Sequence, residues 1–223
     1  MPSMKFNPFA ENKAPSRSMF AKERPAVTPT DSEVKLEDQD VKYSVQEYLG
    51  VKMSLETKMF FNELASQVGE NSAKEVVSSR NTSINDSGDL ITLYCGMTRE
   101  LTILPELPSK LRVLNCGFNI QLTSLPELPA GLTELSCSHS KIASLPELPK
   151  GLRLLSCGNT LISSLPELPG KLDELHCSNT QISSLPELPS TLKELDCSGT
   201  PFSNNPEAIA ELEVKYPGLR IYS

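Results

Sequence analysis

From Leu90 onwards, the apolar residues of this chain occupy positions that recur about every twenty residues. Each recurrence opens with Leu-x-x-Leu-x-Cys, passes through a short polar stretch to Ile or Leu, and closes with Leu-Pro-Glu-Leu-Pro. A fixed period of this length predicts a solenoid, in which small units stack and share one core. Solenoids usually offer a surface to a partner, so the pattern favours binding over catalysis. The five pentapeptides, spaced by 21, 20, 20 and 20 residues, begin at Leu104, Leu125, Leu145, Leu165 and Leu185.

The two halves of each unit predict different backbone conformations. Leu-x-x-Leu-x-Cys alternates like a short strand, which directs Leu135 and Cys137 to one face and Glu134 and Ser136 to the other. The two prolines of the pentapeptide lack an amide donor and favour extended backbone before them, so this part forms neither an α-helix nor a ladder strand. Each unit is therefore expected to be a strand, a turn and an extended, polyproline-II-like return.

The repeats resemble the short bacterial leucine-rich repeat of the YopM and IpaH group of type III secreted effectors. That group repeats Leu-x-x-Leu-x-Val/Leu-x-x-Asn-x-Leu-x-x-Leu-Pro-x-Leu-Pro, and the resemblance covers about Leu90 to Pro201. It implies a leucine-rich repeat solenoid that curves as a right-handed arc. Parallel strands would line the concave side, an extended wall the convex side, and a helical segment would precede the repeats.

The chain departs from the family pattern in three ways. Cysteine replaces the third strand hydrophobe, and Asn119 alone keeps the turn asparagine. Hydroxyl side chains, which bond turn backbone more weakly, stand at the other equivalent positions: Thr98, Ser140, Thr160, Thr180 and Thr200. The two earliest units also carry one extra residue each, around Arg99–Leu101 and Phe118–Leu122, so their turns are expected to bulge.

The segments before the repeats divide at about residue 40. Residues 1–40 are rich in Pro, Ser and charged residues, which predicts a disordered tail that is also compatible with a type III secretion signal. Residues 41–88 are expected to form a helical cap. Ser44-x-x-Glu47 and Ser72-x-x-Glu75 resemble capping boxes. Between them an amphipathic pattern ends at Gly69, with apolar residues at Phe61, Leu64, Ala65 and Val68.

Residues 89–201 are expected to form the solenoid of about six units, and residues 202–223 its C-terminal cap. Asn205-Pro206-Glu207 is typical of a helix start, because asparagine caps well and proline suits the first helical position. This helix is expected to end at Tyr216, before Pro217-Gly218. Leu219 and Ile221 then alternate like a last half-strand.

Composition argues against several kinds of partner. The net charge is −7 without a basic run, which disfavours nucleic acid and anionic membranes. The sequence contains no apolar stretch long enough to span a membrane and no Sec signal in its first thirty residues. The expected location is the bacterial cytoplasm, with secretion into a host cytosol by a route other than Sec as a possibility.

The cysteines follow the repeat, at Cys95, Cys116, Cys137, Cys157, Cys177 and Cys197. Since all six share one core-facing strand position, we expect a ladder of buried free thiols that behave as small hydrophobes. Disulfides and a zinc site are the alternatives, but parallel side chains and the absence of Cys-x-x-Cys disfavour them. Reduced thiols would imply a reducing compartment.

The outward strand positions and the adjoining turns form the candidate protein-binding surface. A mixed-charge, partly aromatic concave patch suits protein recognition, although a merely solvated sheet face has the same pattern. Met97 and Phe118, in the two longer turns, are the first candidates. The predicted binding residues are Tyr94, Met97, Arg112, Val113, Phe118, Glu134, Arg153, Leu154, Glu174, His176 and Glu194. Further positions on this surface are Asn115, His139, Leu161, Asp173, Lys193 and Asp196.

Other side chains predict no chemistry. His139 and His176 lie two units apart, too far to share a metal ion. Neither histidine has an acid and a hydroxyl consistently placed for nucleophilic catalysis, so no catalytic residue, cofactor or metal is expected. The glutamates of the pentapeptides form a stripe along the wall, which is either a solvated surface or a docking site for a basic partner. These residues are Glu106, Glu127, Glu147, Glu167 and Glu187.

The sequence therefore predicts a non-enzymatic, monomeric module that binds a host or bacterial protein and acts as a secreted effector. One alternative is the substrate-recognition part of an IpaH-type ubiquitin ligase. The ligase domain of that group follows the repeats and uses a cysteine in a Cys-x-Asp context. Only 26 residues follow Cys197 and no Cys-x-Asp occurs, so the domain is not expected in this chain. A cytoplasmic scaffold is the other alternative.

Overall fold

The computed structural model describes residues 52–79, 81–98 and 100–223. These residues form three helices and one eight-stranded sheet in which the strands follow chain order. Strand β1 pairs antiparallel with β2, and every later pair is parallel. The helices are α1 (Leu55–Val68), α2 (Glu70–Ser78) and α3 (Pro206–Lys215). The strands are β1 (Ser83–Ile84), β2 (Leu90–Tyr94), β3 (Val113–Asn115), β4 (Glu134–Ser136), β5 (Leu154–Ser156), β6 (Glu174–His176), β7 (Glu194–Asp196) and β8 (Arg220–Tyr222).

The solenoid core is built from the leucines and cysteines of the repeat. The middle residue of each strand pairs with its equivalent in the next unit, as Leu135 does with Leu155, and both are fully buried. Cys137 lies on the same side and is also fully buried, whereas Glu134 is exposed. The expected alternation along the strands is therefore confirmed, and with it the parallel-strand solenoid.

The pentapeptides form the opposite wall and contain neither helix nor strand. Their prolines cannot donate to a ladder, so the wall is held by buried leucines and by turns at each end. In one such turn the Leu111 amide donates to the Pro108 carbonyl at 3.0 Å, and the same bond recurs from Leu132 to Pro129 at 2.9 Å. This bond returns the chain from the wall to the next strand.

Helix α1 is capped at its start by Ser54, a residue that the sequence reasoning did not single out. The Ser54 hydroxyl accepts from the Thr57 amide at 3.3 Å, and Gly69 ends the helix with φ 80°, as expected. Helix α2 starts directly afterwards, because the Gly69 carbonyl accepts from the Ala73 amide. Ser72 therefore lies inside the first turn of α2, and its assignment as a capping residue is wrong. Ser44-x-x-Glu47 and the 1–40 tail lie outside the described residues.

The helical pair covers the first unit through both packing and hydrogen bonds. Phe61 and Leu64 are fully buried in the same core as the repeat leucines. The Thr57 hydroxyl accepts from the Leu90 amide at 3.0 Å, which satisfies a buried donor at the start of β2. The Glu56 carboxylate accepts from the Ser109 amide at 2.7 Å and from its hydroxyl at 3.0 Å. Helix α1 is thereby tied to both the strand and the wall of the solenoid's first unit.

The last unit is covered by α3 and β8. The Asn205 side chain accepts from the Glu207 and Ala208 amides, and Pro206 is the first helical residue, as predicted. The helix ends at Lys215, one residue before the predicted end, and Tyr216 is its C-cap. The Tyr216 hydroxyl donates to the Leu188 carbonyl at 3.0 Å, and β8 extends the parallel sheet beside β7.

In the part of the chain that the structure describes, no helix combines the length and apolar character needed to cross a bilayer.

Candidate protein-binding surface

The predicted binding residues lie along one side of the sheet and its adjoining turns. We call the outward positions of β2–β7, together with the residue before each three-residue strand, the strand face. Register pairs Val113 with Glu134, Glu134 with Leu154, and Leu154 with Glu174, so these predicted residues form one column. Tyr94 and His176 belong to the neighbouring column. The column continues from Glu174 to Glu194, and Arg112 and Arg153 precede the strand positions.

Three cationic residues of the predicted surface already have partners within the protein. Arg153 Nε donates to Asp173 Oδ2 at 2.8 Å, and Lys193 Nζ lies 2.8 Å from Asp173 Oδ1. Hydrogen bonds from Lys193 and Arg153 lower the pKa of Asp173. Arg112 Nη1 donates to the Gly131 carbonyl at 2.8 Å. These guanidinium groups bond to groups of neighbouring units, although both side chains remain exposed.

His176 is less accessible than an outward strand position suggests. Its exposed fraction is 8%, and its Nε2 is 3.5 Å from Glu174 Oε2. A ring this buried offers little area to a partner. Glu174 and Glu194 remain half-buried, and Arg220 lies 3.3 Å from the Glu194 carboxylate.

The turn after each strand from β2 to β7 contains a residue in the left-handed region, a feature that the sequence reasoning missed. In the first five of these turns its amide donates to a carbonyl of the next unit, as Phe118 does to Ser138 at 2.8 Å and His139 to Gly158 at 3.0 Å. The clue in the sequence is Asn or Gly at this position in the last three units, since these residues tolerate positive φ best. The six residues are Met97 (φ 64°), Phe118 (59°), His139 (57°), Asn159 (56°), Asn179 (53°) and Gly199 (68°).

The first three units display bulky side chains from this strained position. The Phe118 and His139 rings stack with centroids 4.3 Å apart and planes 12° apart. Met97 is 68% exposed, and Ile120 and Leu161, two residues after the left-handed position in their turns, are 55% and 49% exposed. We call these five residues the turn ridge. They form an apolar strip beside the N-terminal part of the strand face.

The extra residue of the second unit adds to this ridge. Asn119 is buried in the position equivalent to Ser140, and Leu122 is buried in the position equivalent to Ile142. The insertion is therefore confined to the two residues between Asn119 and Leu122, and it leaves Ile120 exposed. Phe118 keeps the same backbone conformation as residues in turns without an insertion. Its display results from the repeat geometry rather than from the bulge.

A cavity of about 360 Å³ lies between α2 and the first unit, next to the ridge. Tyr94 and Met97 line it from the solenoid, and Val76 lines it from α2. Its other described lining residues include the carboxylates Glu75 and Glu100 and no lysine or arginine. Burial and the nearby Glu134 carboxylate raise the pKa of Tyr94, so a third acidic group acts on this region.

Beneath the strand face, a column of buried polar groups stabilises the turns. Thr160 and Thr180 each donate to the cysteine carbonyl of their own unit at 2.7 Å. Asn119 instead donates to two carbonyls, Cys116 in its own unit and Cys95 in the preceding one, both at 2.9 Å. The hydroxyl side chains that stand in place of asparagine therefore keep the hydrogen bond to the cysteine carbonyl of their own unit. They do not make the second hydrogen bond, to the cysteine carbonyl of the preceding unit.

The cysteine ladder has the character of a core rather than of a reactive site. All six thiols are free and buried, and the Cys116 Sγ lies 3.5 Å from the Ser136 carbonyl to which it donates. Burial raises the pKa of Cys95 and Cys137 to about 12. A thiol that stays protonated at neutral pH is a poor nucleophile and a poor metal ligand. Among the described residues, no three His, Cys, Asp or Glu side chains cluster as metal ligands would.

The wall glutamates all point into solvent at the spacing of the repeat. Glu187 has a weak ion pair, with Lys215 Nζ 3.9 Å from its carboxylate and both side chains largely exposed. Exposed pairs of this kind contribute little to stability. The wall therefore has the features of a solvated acidic surface.

Known proteins resemble this chain through their solved structures. A scan for protein families finds no match, and no curated protein matches. The structure of a Shigella effector LRR domain is 21% identical to this chain and superposes with a TM-score of 0.53. The match covers 77% of this chain and 98% of the Shigella domain. The leucine-rich repeat fold is thereby confirmed.

YopM is also similar to part of the chain. YopM from Yersinia enterocolitica WA-314 is 42% identical over 45% of this chain, with a TM-score of 0.43. YopM from Yersinia pestis is 21% identical over 63% of the chain, with a TM-score of 0.38. The chain spans 22% and 48% of the lengths of these two proteins.

Proposed function

We propose that this chain is a non-enzymatic protein-binding module that recognises its partner through the strand face and the turn ridge. The observation that carries the proposal is the rigid display of the turn ridge beside the strand face. Main-chain hydrogen bonds between units hold both surfaces, so little conformational entropy is lost when a partner binds. A partly aromatic surface beside charged groups is typical of protein interfaces.

We further propose that the protein is a bacterial effector that acts in a host cytosol. The similarity to a structure described as a Shigella effector LRR domain supports this proposal. Six buried thiols suit a reducing compartment, whether the bacterial cytoplasm or a host cytosol. The module would act as a monomer, with residues 41–88 as its helical cap, 89–201 as its solenoid and 202–223 as its C-terminal cap.

The test is a comparison of partner capture by two double variants. Phe118→Asn with Leu154→Thr changes the ridge and the strand face, using residues that the chain itself has at equivalent positions, Asn159 and Thr92. The control, Glu147→Gln with Glu167→Gln, changes only the wall. Since hot-spot residues contribute about 2 kcal/mol or more, we expect the first variant to lose about thirtyfold or more in affinity.

Circular dichroism and the melting temperature establish that both variants remain folded. Partner proteins from host-cell extract are then quantified by mass spectrometry. A partner lost by the wall variant and retained by the strand-face variant would contradict the proposal and assign recognition to the glutamate stripe.

A second function is favoured because the similar Shigella structure is one domain of an effector. This chain spans 98% of that domain. We propose as the alternative that the chain is the substrate-recognition part of an IpaH-type ligase. Sequencing the DNA that follows the Ser223 codon tests this, because a reading frame encoding a Cys-x-Asp motif supports the alternative and a stop codon excludes it.

A further inference from the structure

The turn ridge has a conformational cost that folding does not require. A left-handed backbone disfavours bulky residues, whereas glycine adopts it freely and asparagine tolerates it. The last three units have Asn or Gly at this position, but the first three have Met97, Phe118 and His139. Strain of this kind is concentrated at functional sites. The bulky side chains are therefore better explained by binding than by folding.

A shallow groove separates the turn ridge from the first residues of the strands. Its floor is the third strand position, at which each residue pairs in register with its equivalent in the next unit. Along the solenoid this column reads Tyr94, Asn115, Ser136, Ser156 and His176. Three short side chains therefore lie between two large ones. Four strand spacings of about 4.8 Å separate Tyr94 from His176, so the floor is about 19 Å long.

The width of the groove suits a helix. In the second unit it extends from Val113 on the strand to Phe118 on the ridge. The two steps along the strand span about 7 Å, and all five steps span at most about 16 Å. An α-helix with its side chains is about 10–12 Å wide, which lies within these limits. A single extended strand needs only about 5 Å and would leave one rim without contact.

The rim opposite the ridge alternates acidic and apolar residues. Glu134, Leu154 and Glu174 pair in register in successive strands. Glu134 is exposed, and the Glu174 side chain is 46% exposed. The guanidinium groups of Arg112 and Arg153, which precede strand positions, are bonded to other groups of the protein. Two basic residues with an apolar residue between them are the complement of this rim.

The spacing of this rim distinguishes between conformations of a bound segment. Glu134 and Glu174 are two strand spacings apart, about 10 Å, with Leu154 midway. In a helix, residues i and i+7 lie on one face about 10 Å apart, and i+3 or i+4 lies midway between them. An extended strand presents one face at about 7 and 13 Å. A polyproline-II segment repeats at about 9 Å, but it has no residue on that side in between.

We propose that an amphipathic α-helix of the partner protein lies along this groove, with two basic residues seven positions apart that face Glu134 and Glu174. The inference rests on the proposed function and names the kind of segment that is bound. An apolar residue between the basic pair packs on Leu154, and the other apolar side chains of the helix pack on the turn ridge. About 13 residues of helix cover the 19 Å floor.

The experiment selects random 18-residue peptides, displayed on phage, against the full chain. We expect the enriched peptides, once synthesised, to gain helical circular dichroism on binding and to contain Lys or Arg at positions i and i+7. Moving the second basic residue by two positions keeps the composition but turns its charge away, and it should weaken binding about tenfold. Proline on the solvent-facing side of the helix should weaken binding about a hundredfold, because it breaks the helix without touching the groove.

Variants of the protein test the acidic rim. Glu134→Gln with Glu174→Gln should weaken binding about tenfold and reduce its dependence on salt. Glu147→Gln with Glu167→Gln removes the same charge from the wall and should leave the affinity unchanged. All four positions are exposed or half-buried, so the melting temperature of each double variant should stay within about 4 °C of the unaltered chain.

The outcomes separate this inference from the proposed function. Peptides that bind without gaining helix, or that tolerate the moved basic residue, overturn the helix proposal. If those peptides fail to bind Phe118→Asn with Leu154→Thr, the proposed function stands. Full affinity for the Glu134→Gln, Glu174→Gln variant also overturns the helix proposal, and peptides lost only in the wall variant overturn both. A library without a peptide that requires Phe118 and Leu154, or a dimer of this chain that requires them, likewise overturns the helix proposal.

Discussion

Replacing Asn119 separates the two hydrogen bonds that its buried amide makes. In Asn119→Thr the hydroxyl can keep the bond to the Cys116 carbonyl, as Thr160 does to Cys157 in its own unit. The bond to Cys95 of the preceding unit is lost, but that carbonyl still accepts from Thr98 at 2.9 Å. In Asn119→Ala both bonds are lost and the buried Cys116 carbonyl has no replacement donor.

The two substitutions should therefore differ in free energy of unfolding. Asn119→Thr removes one hydrogen bond, worth about 1 kcal/mol, and also removes the Asn119 Oδ1, which is buried without a partner. Its net effect should be below about 1 kcal/mol. Asn119→Ala loses both bonds and leaves a buried carbonyl unpaired, which together destabilise by roughly 2–4 kcal/mol. For a chain of this size, each kcal/mol lowers the melting temperature by about 2–4 °C.

Urea unfolding followed by circular dichroism measures both values, and Thr160→Ala provides a matched control in a unit that has only the local bond. We expect the order Asn119→Ala, then Thr160→Ala, then Asn119→Thr, from the largest loss to the smallest. Equal losses for Asn119→Thr and Asn119→Ala would refute the reasoning, because they would make the bond between units the dominant contribution. Unchanged stability in Asn119→Ala would show that the buried polar column does not stabilise the turns.

Three further predictions concern the core, the cap and the ridge. Burial raises the pKa of Cys95 and Cys137 from 9.0 to about 12, so protonated thiols stabilise the fold below pH 9. The free energy of unfolding should fall as pH rises from about 9 towards 12, a fall that urea titrations should find smaller in Cys137→Ala. Thr57→Val leaves the buried Leu90 amide without its acceptor and should destabilise by about 1–3 kcal/mol in urea, whereas the exposed Ser66→Ala should have little effect. Met97→Asn should preserve the melting temperature within about 2 °C, since relief of backbone strain offsets lost packing, while it weakens binding of the captured partner several-fold; unchanged affinity would remove Met97 from the binding surface.

The repeat made the fold predictable because one physical constraint recurs in every unit. Alternation in Leu-x-x-Leu-x-Cys can bury only one face of a strand, and the prolines exclude any element that needs their amides. With a period near twenty residues, the leucines can be buried only if successive units stack on one another. The roles of Gly69 and Asn205 could also be predicted, because a glycine with positive φ at a helix end and an asparagine N-cap are local requirements of the backbone.

The details of the site could not be read in the same way, because they depend on neighbours in other units. From the sequence alone Arg153 has no evident partner. In the structure its Nε lies 2.8 Å from Oδ2 of Asp173, a residue of the next unit. His176 has an outward position by alternation, yet it is buried in the structure. The left-handed residue of each turn was not predicted, because Asn and Gly mark this position only in the later units. In the first units, bulky residues such as Met97 and Phe118 occupy it.

Hydroxyl-radical footprinting of the full chain, alone and with its captured partner, tests the central claim most directly. Met97 and Phe118 are side-chain types that oxidise readily, and both belong to the proposed surface. The account predicts that their oxidation falls when the partner binds. Ile103, which precedes the first wall pentapeptide and is 51% exposed, and Val214 of α3, 83% exposed, should oxidise as before. Protection of Ile103 or Val214 with unchanged oxidation of Met97 and Phe118 would contradict recognition through the strand face and turn ridge.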